Sequence, residues 1–283
     1  MKNKIIEIAE NIGISEIGFC SARAYRERKK ISPEVFASAK GDMPLDTKTI
    51  IVCLFSYYNG KRRGNISRYA QGKDYHKVAI EKMQGIKEYL EKNNFWTEAY
   101  SDTGSLNERL LAYLSGTAFC GKNRMMINDR LGSYFFIGYV LTNCELECDA
   151  VRDKTCMECG KCIQACPAHA LDSDEFAEKK CLSYVTQKKG ELTEAEQNLI
   201  KKTGFIWGCD ICQEVCPHNR GIEVTNIDEF KNDLIIDLKL PENVSNREFK
   251  RLYQDRAFAW RGKGVLVRNE EIIKKYIFFS NKY

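Results

Sequence analysis

The sequence predicts an α+β protein: an N-terminal α/β domain, a cysteine-rich domain and a short helical tail. Three observations carry this. Apolar strand-like runs alternate with amphipathic helical runs through the first half of the chain. Eight of the thirteen cysteines then fall between Cys156 and Cys216. Beyond them come only short helical patterns. The expected domains are 1–143, 144–224 and 225–283.

In order along the chain, Ile5–Ile12 has helical periodicity, Thr49–Phe55 is a short apolar strand run, and Asp74–Asn93 is a long amphipathic helix. Phe95–Tyr100 reads as a strand and Ser105–Ser115 as a helix, with Ser105 and Glu108 as its capping box. Arg124–Asn128 and Ser133–Thr142 read as two more strands. The second is apolar on both faces, which places it in the centre of a sheet. At Asn143–Lys154 Cys, Glu and Asp replace the apolar run, and this marks the boundary. A charged helical insert, Thr193–Lys202, interrupts the cysteine segment. The tail has a second capping box at Ser245 and Glu248 and helices running to about Tyr276.

Bulk properties exclude several classes. With 43% hydrophobic and 29% charged residues over 283 positions, the chain has enough material for real cores. The net charge of +5 permits a phosphate-rich partner without demanding one, because 39 acidic residues offset 44 basic ones. The N-terminus, MKNKIIEIAENIG, lacks the apolar core of a secretory signal. The apolar runs Ile50–Tyr58 and Tyr134–Leu141 are too short to span a bilayer. A cytosolic protein with no membrane partner is expected, and its thiols should stay reduced.

Clustered reduced cysteines point to metal. Cys156, Cys159, Cys162 and Cys166, followed by Pro167, match the C-x2-C-x2-C-x3-C-P run of bacterial ferredoxins. Three cysteines on one tight loop reach three corners of a cube, and the fourth is carried away to a second cube. Cys209, Cys212 and Cys216, followed by Pro217, form the second motif, with Cys181 as an outlying member. By this crossing, Cys156, Cys159, Cys162 and Cys216 hold the first 4Fe–4S cluster, and Cys166, Cys181, Cys209 and Cys212 the second. Structural zinc is the competing reading of C-x2-C pairs. Zinc needs two pairs, not a repeated triplet with a proline-following fourth. The other cysteines (Cys20, Cys53, Cys120, Cys144, Cys148) are expected to be free and largely buried. A ferredoxin-like segment needs only some 60 residues, so the domain ahead of it should hold the electron acceptor.

Several N-terminal stretches stand ahead of this segment in a fixed order. They are Arg68-Tyr-Ala-Gln-Gly-Lys-Asp-Tyr-His76, Ser101-Asp-Thr-Gly-Ser-Leu-Asn-Glu-Arg109, Gly121-Lys-Asn123 and Gly132-Ser-Tyr-Phe-Phe-Ile-Gly138. Cys181-Leu-Ser-Tyr-Val-Thr-Gln-Lys-Lys-Gly190 and Trp207-Gly-Cys-Asp-Ile-Cys-Gln-Glu-Val-Cys-Pro217 complete the set. Together they resemble the epoxyqueuosine reductase family to about Asn269. The resemblance implies cobalamin in the N-terminal domain and reduction of an epoxide to an alkene on a modified tRNA wobble base, with low-valent cobalt fed by the two clusters. It implies a catalytic acid at Asp102. It also implies corrin contacts at Met126, Ile137, Ser183, Gln187, Lys189 and Asp210. The chain departs from the family at Gly116-Thr-Ala-Phe-Cys-Gly-Lys-Asn123, and the helical-repeat domain of longer members is not in this sequence.

Single residues have plainer readings too. Asp102 precedes a helix start, where a carboxylate caps the turn. Beside an apolar corrin it would be desolvated, which favours the protonated acid. His76 reads as a packed or capping side chain, and His169 and His218 tune polarity beside the cluster prolines. Lys61, Arg62, Arg63, Arg68 and Lys73, interleaved with Tyr57, Tyr58 and Tyr69, suit RNA or a solvated loop; so do Arg256, Arg261, Lys263 and Arg268 around Trp260. The expected partners are the anticodon loop of tRNA and a flavodoxin- or ferredoxin-type electron donor. A reductive-dehalogenase-like reductase of small molecules and a plain electron-transfer protein are the alternatives.

Overall fold

A computed structural model of the chain describes residues 1–29, 41–61, 63–172 and 175–280. It divides into two units that interleave along the sequence. Unit 1 is Met1–Tyr58, Tyr75–Glu158 and His218–Lys231; unit 2 is Asn59–Asp74, Cys159–Pro217 and Asn232–Tyr283.

Unit 1 opens with α1 (Lys2–Asn11), β1 (Glu16–Ser21), α2 (Ala22–Lys29) and β2 (Thr49–Ser56), followed by α3 (Tyr75–Lys92), β3 (Thr97–Tyr100) and α4 (Glu108–Leu114). Then come the short β4 (Phe119–Cys120) and β5 (Met126–Ile127), and β6 (Phe135–Thr142). The main sheet has the order β1-β2-β6-β3, every pair antiparallel. The two strands apolar on both faces, β2 and β6, occupy its middle, as their composition requires.

Alternation along β2 sends Ile50, Val52 and Leu54 into a core with Leu110, Leu111 and Leu114 of α4. The opposite face packs on α3. There Gly138 of β6 makes room, since a Cβ would sit 2.9 Å from Met83 Cε. Helices thus cover both faces, which fixes where α3 and α4 begin. Those two helix starts frame the candidate site.

The expected capping box of α4 is not there. Asn107 is the N-cap, accepting the Leu110 N–H at 3.1 Å and donating its own N–H to the Tyr25 hydroxyl at 2.8 Å. Ser105 instead donates to the Asp42 carbonyl at 3.1 Å. Asparagine caps as well as serine, and the buried tyrosine decides between them.

Unit 2 carries α5 (Lys161–Ala165), α6 (Leu182–Gln187), α7 (Glu194–Thr203) and α8 (Ile211–Glu214). Unit 1 has α9 (Asp228–Lys231), and unit 2 ends with α10 (Asn246–Tyr253), a 3₁₀ turn (Ala257–Arg261) and α11 (Lys263–Ser280). Segment 59–74 joins unit 2 through hydrogen bonds from Ser67 N–H to the Trp207 carbonyl (2.8 Å) and Ile206 N–H to the Asn65 carbonyl (2.7 Å). Trp207, with no exposed surface, packs with Ile66, Phe249 and Phe258. Buried Asn269 of α11 ties the tail in, donating to the Thr186 and Ile206 carbonyls at 2.7 and 2.8 Å. The helices at Thr193 and Ser245 are capped by those residues, the first with a complete capping box.

Candidate functional site

The turn between β3 and α4 places Asp102. Its backbone is left-handed, with φ 61°, a region that aspartate enters more readily than most residues. Ser101 Oγ donates to the Ile137 carbonyl at 3.1 Å, and Thr103 N–H to the Ser101 carbonyl at 2.8 Å. Gly104 lies so close under the Tyr139 hydroxyl that any side chain there would collide with it.

The start of α3 supplies the partners. Tyr75 donates its hydroxyl to Asp102 Oδ2 at 2.6 Å, and His76 Nε2 lies 3.2 Å from the same oxygen. Tyr75 stacks on Phe136 (centroids 4.1 Å, planes 5° apart), and His76 stacks on Tyr75 at 4.1 Å. Tyr57 and Phe230 enclose Phe136 further. An aromatic floor therefore sets the aim of both donors.

The partners of Asp102 set its electrostatics. The bond to His76, aided by Tyr75, holds the Asp102 carboxyl below its ordinary range, although desolvation pulls the other way. Its side chain remains 59% exposed, so the protein alone favours the carboxylate. Burial instead raises Glu108, to about 8, and the Asp102 charge adds to the shift. Glu108 Oε1 accepts the Asp102 N–H at 2.5 Å. His76 is thus neither a cap nor mere packing. The Tyr75–His76–Asp102–Glu108 grouping is not legible in the sequence, because nothing local links α3 to a turn 26 residues later.

In unit 2, α5 packs against α8. Cys166, Cys181, Cys209 and Cys212 lie near enough for their charges to raise one another. Burial is the larger cause: it raises Cys181, takes Cys209 to about 12 and raises Cys212 well above the thiol range. Backbone N–H groups of Ser183 and Tyr184 oppose this at Cys181, that of Ile211 opposes it at Cys209, and Ala170 N–H reaches Cys166 Sγ at 3.4 Å. Buried thiols with amides aimed at their sulfurs suit iron, which deprotonates a coordinating thiol outright. Cys162 and Cys216 are buried, Cys156 half-buried and Cys159 exposed. Of the other five, Cys20, Cys53 and Cys144 are buried as expected, Cys120 is half-buried, and Cys148 is exposed.

The expected corrin contacts separate into two groups. Ile137, Ser183 and Gln187 are half-buried and Lys189 is exposed; Gln187 Nε2 donates to the Ser183 carbonyl at 3.0 Å. Met126 is sealed into the core of unit 1. Asp210 has no exposed surface, so it has nothing to offer a ligand directly. Its carboxylate accepts Ser67 Oγ (2.5 Å) and Arg68 N–H (2.7 Å), tying the Cys209–Cys212 loop to segment 59–74. Burial lifts it to about 6 against those bonds.

Both basic runs are largely consumed inside unit 2. Buried Arg68 donates to the Lys61 carbonyl at 2.6 Å. Lys73 lies 2.9 Å from Asp233 and 2.5 Å from Asp255, and Arg256 lies 2.6 Å from Asp233. Arg268 donates to the Lys188 and Gly190 carbonyls. Tyr57 is buried and Tyr69 accepts from the Trp207 indole, while Arg62 lies outside the described residues. Lys61 and Arg63 stay exposed, and so does Trp260, 64% exposed with the Arg261 guanidinium 3.8 Å from its ring centre. Exposed Arg247, Lys250 and Arg251 on α10 are a basic patch that the sequence analysis does not single out. A signal for it exists: three cations in five residues on a helix whose Phe249 and Tyr253 face inward.

Comparison with known proteins agrees with these features. Residues 43–103 match the family described as epoxyqueuosine reductase QueG, DUF1730, and residues 155–219 match the 4Fe-4S double cluster binding domain. An epoxyqueuosine reductase of Lactococcus garvieae is 34% identical over 301 residues, covering 95% of this chain and 85% of that protein. The structure of epoxyqueuosine reductase from Streptococcus thermophilus superimposes with a TM-score of 0.82 at 32% identity, over 98% of this chain and 81% of that one. An epoxyqueuosine reductase crystallised with an epoxyqueuosine-modified tRNA-Tyr stem loop gives 0.80 at 27%, over 97% and 81%. With sequence, order of motifs and fold in agreement over nearly its whole length, the chain belongs to the epoxyqueuosine reductase family.

Proposed function

We propose that this chain reduces epoxyqueuosine to queuosine in tRNA. The observation that carries the reading is the 34% identity to such a reductase over 95% of the chain, and the constellation around Asp102 gives it a mechanism. Removing the epoxide oxygen consumes two electrons and two protons and yields an alkene and water. The two 4Fe–4S clusters carry electrons singly from an external donor of flavodoxin or ferredoxin type. The residues present fit cobalamin: within unit 2, half-buried Ser183 and Gln187 and exposed Lys189 carry polar side chains suited to corrin amides. When bound, it supplies the low-valent cobalt chemistry on which epoxide opening depends.

The protein's own share is the proton. Asp102, held by Tyr75 and His76, passes one of the two protons to the departing oxygen, and solvent supplies the second. A positioned acid of this kind contributes about 10²–10⁴-fold.

The substrate RNA is held through its anticodon loop. Trp260 with Arg261 over its face offers a stacking surface for a base, and Arg247, Lys250 and Arg251 face the flanking phosphates. No helix among the described residues is long and apolar enough to cross a membrane. No feature of the site favours a halogenated small molecule over the tRNA base. Anaerobic incubation of the reduced protein with epoxyqueuosine-containing tRNA tests the reading: two electrons should disappear per queuosine formed. Electron consumption without queuosine, or turnover of small halogenated compounds only, would contradict it.

A further inference from the structure

We propose that Glu108 is a positioning residue of the reaction: from the first turn of α4 its carboxyl holds the Asp102 N–H and so keeps the catalytic turn in its working conformation. The inference builds on the reductase reading and adds to it a residue outside the proton path.

Asp102 is gripped from two sides. Tyr75 and His76 at the start of α3 take its carboxylate, and Glu108 takes its peptide N–H at 2.5 Å. The grip matters because Asp102 sits at φ 61°, a sparsely populated region even though aspartate enters it more readily than most residues. Among the described residues the turn's other ties are Ser101 to the Ile137 carbonyl, Thr103 N–H to the Ser101 carbonyl, Ser105 to the Asp42 carbonyl and Leu106 N–H to the Tyr139 hydroxyl. Of these, none holds Asp102 itself. Without Glu108 the amide would turn to water, the turn could relax, and the carboxylate would leave the reach of His76.

The residue type matters as well as the contact. The groups facing Glu108 are Asp102, His76 and the Tyr139 hydroxyl. An uncharged Glu108 accepts the N–H without setting a second anion beside Asp102. Half-buried, its carboxyl is raised to about 8, so the uncharged form predominates at neutral pH. Above about pH 8, repulsion between the two carboxylates should loosen the turn.

The test compares Glu108→Ala and Glu108→Gln with wild type in the cluster-loaded protein. Amide hydrogen exchange over 101–106 should speed up about tenfold or more in the alanine variant and stay near wild type in the glutamine one, which keeps an uncharged acceptor. With epoxyqueuosine tRNA, alanine should lower kcat about tenfold or more with little change in KM, and glutamine should restore most of it. Glutamine should also remove the loss of turnover above about pH 8. Should alanine weaken the fold, Glu108→Met fills the space without an acceptor and carries the same expectation. Unchanged exchange in both the alanine and methionine variants would overturn the proposal. If exchange responds as expected while wild type makes no queuosine, the positioning role stands and the assigned reaction falls.

Discussion

The proposed proton donor, Asp102, is held by Tyr75, His76 and Glu108. Asp102→Asn keeps the shape and loses the relay. Iron content should hold while turnover falls about 10²–10⁴-fold; activity within about threefold of wild type would remove Asp102 from the proton path. Glu108 gives a readout that needs no substrate. Its carboxyl is raised from 4.5 to about 8, so between those values the native state keeps a proton that the unfolded chain releases. Stability from this group is therefore full below about pH 4.5 and falls as pH rises towards 8. Anaerobic melts should show Glu108→Gln gaining on wild type from pH 5 to about pH 8; a constant gap would mean that the carboxyl is not raised. At this scale the sequence marks Asp102 only through its motif. Its partners Tyr75 and His76 are brought by α3 packing on the sheet, and no local pattern records that.

Among elements, β6 is legible as central because it is apolar on both faces, and β2 is legible as a short apolar strand run. β1, with the mixed run Glu16–Ser21, gave no such signal. The start of α4 was misplaced because Ser105 and Asn107 are both good caps, and the Tyr25 hydroxyl that selects Asn107 comes from α2. Asn107→Ala should therefore cost about 1 kcal/mol and lower the melting temperature, whereas Ser105→Ala should leave α4 capped. Equal losses would return the cap to Ser105. The pairing of α5 with α8 makes a further prediction. Cys166→Ser and Cys212→Ser should each cost the same cluster, about four irons, and the double variant should lose no more than either alone. Loss of all the iron in the double variant would separate these two cysteines.

The whole molecule is more interleaved than its sequence. The cysteine spacing announces the clusters because ligand geometry is local. The membership of 59–74 in unit 2 depends on hydrogen bonds to residues some 140 positions later, such as Ser67 to Trp207, and is invisible locally. The same distance obscures the reading of charge. Lys73 and Arg256 look like an RNA grip until Asp233 and Asp255 take them up. The cations left on α10 predict a defined salt dependence. Replacing Arg247, Lys250 and Arg251 by alanine should flatten the log–log salt slope of stem-loop binding by about 0.7 for each phosphate no longer neutralised. An unchanged slope would move the RNA elsewhere.

The most direct measurement is the nucleoside composition of tRNA after anaerobic incubation with the reduced protein carrying both clusters and cobalamin. Epoxyqueuosine should be replaced by queuosine with the wild-type chain and persist with Asp102→Asn. Epoxyqueuosine left intact by fully loaded wild type would contradict the assignment of this chain as the reductase.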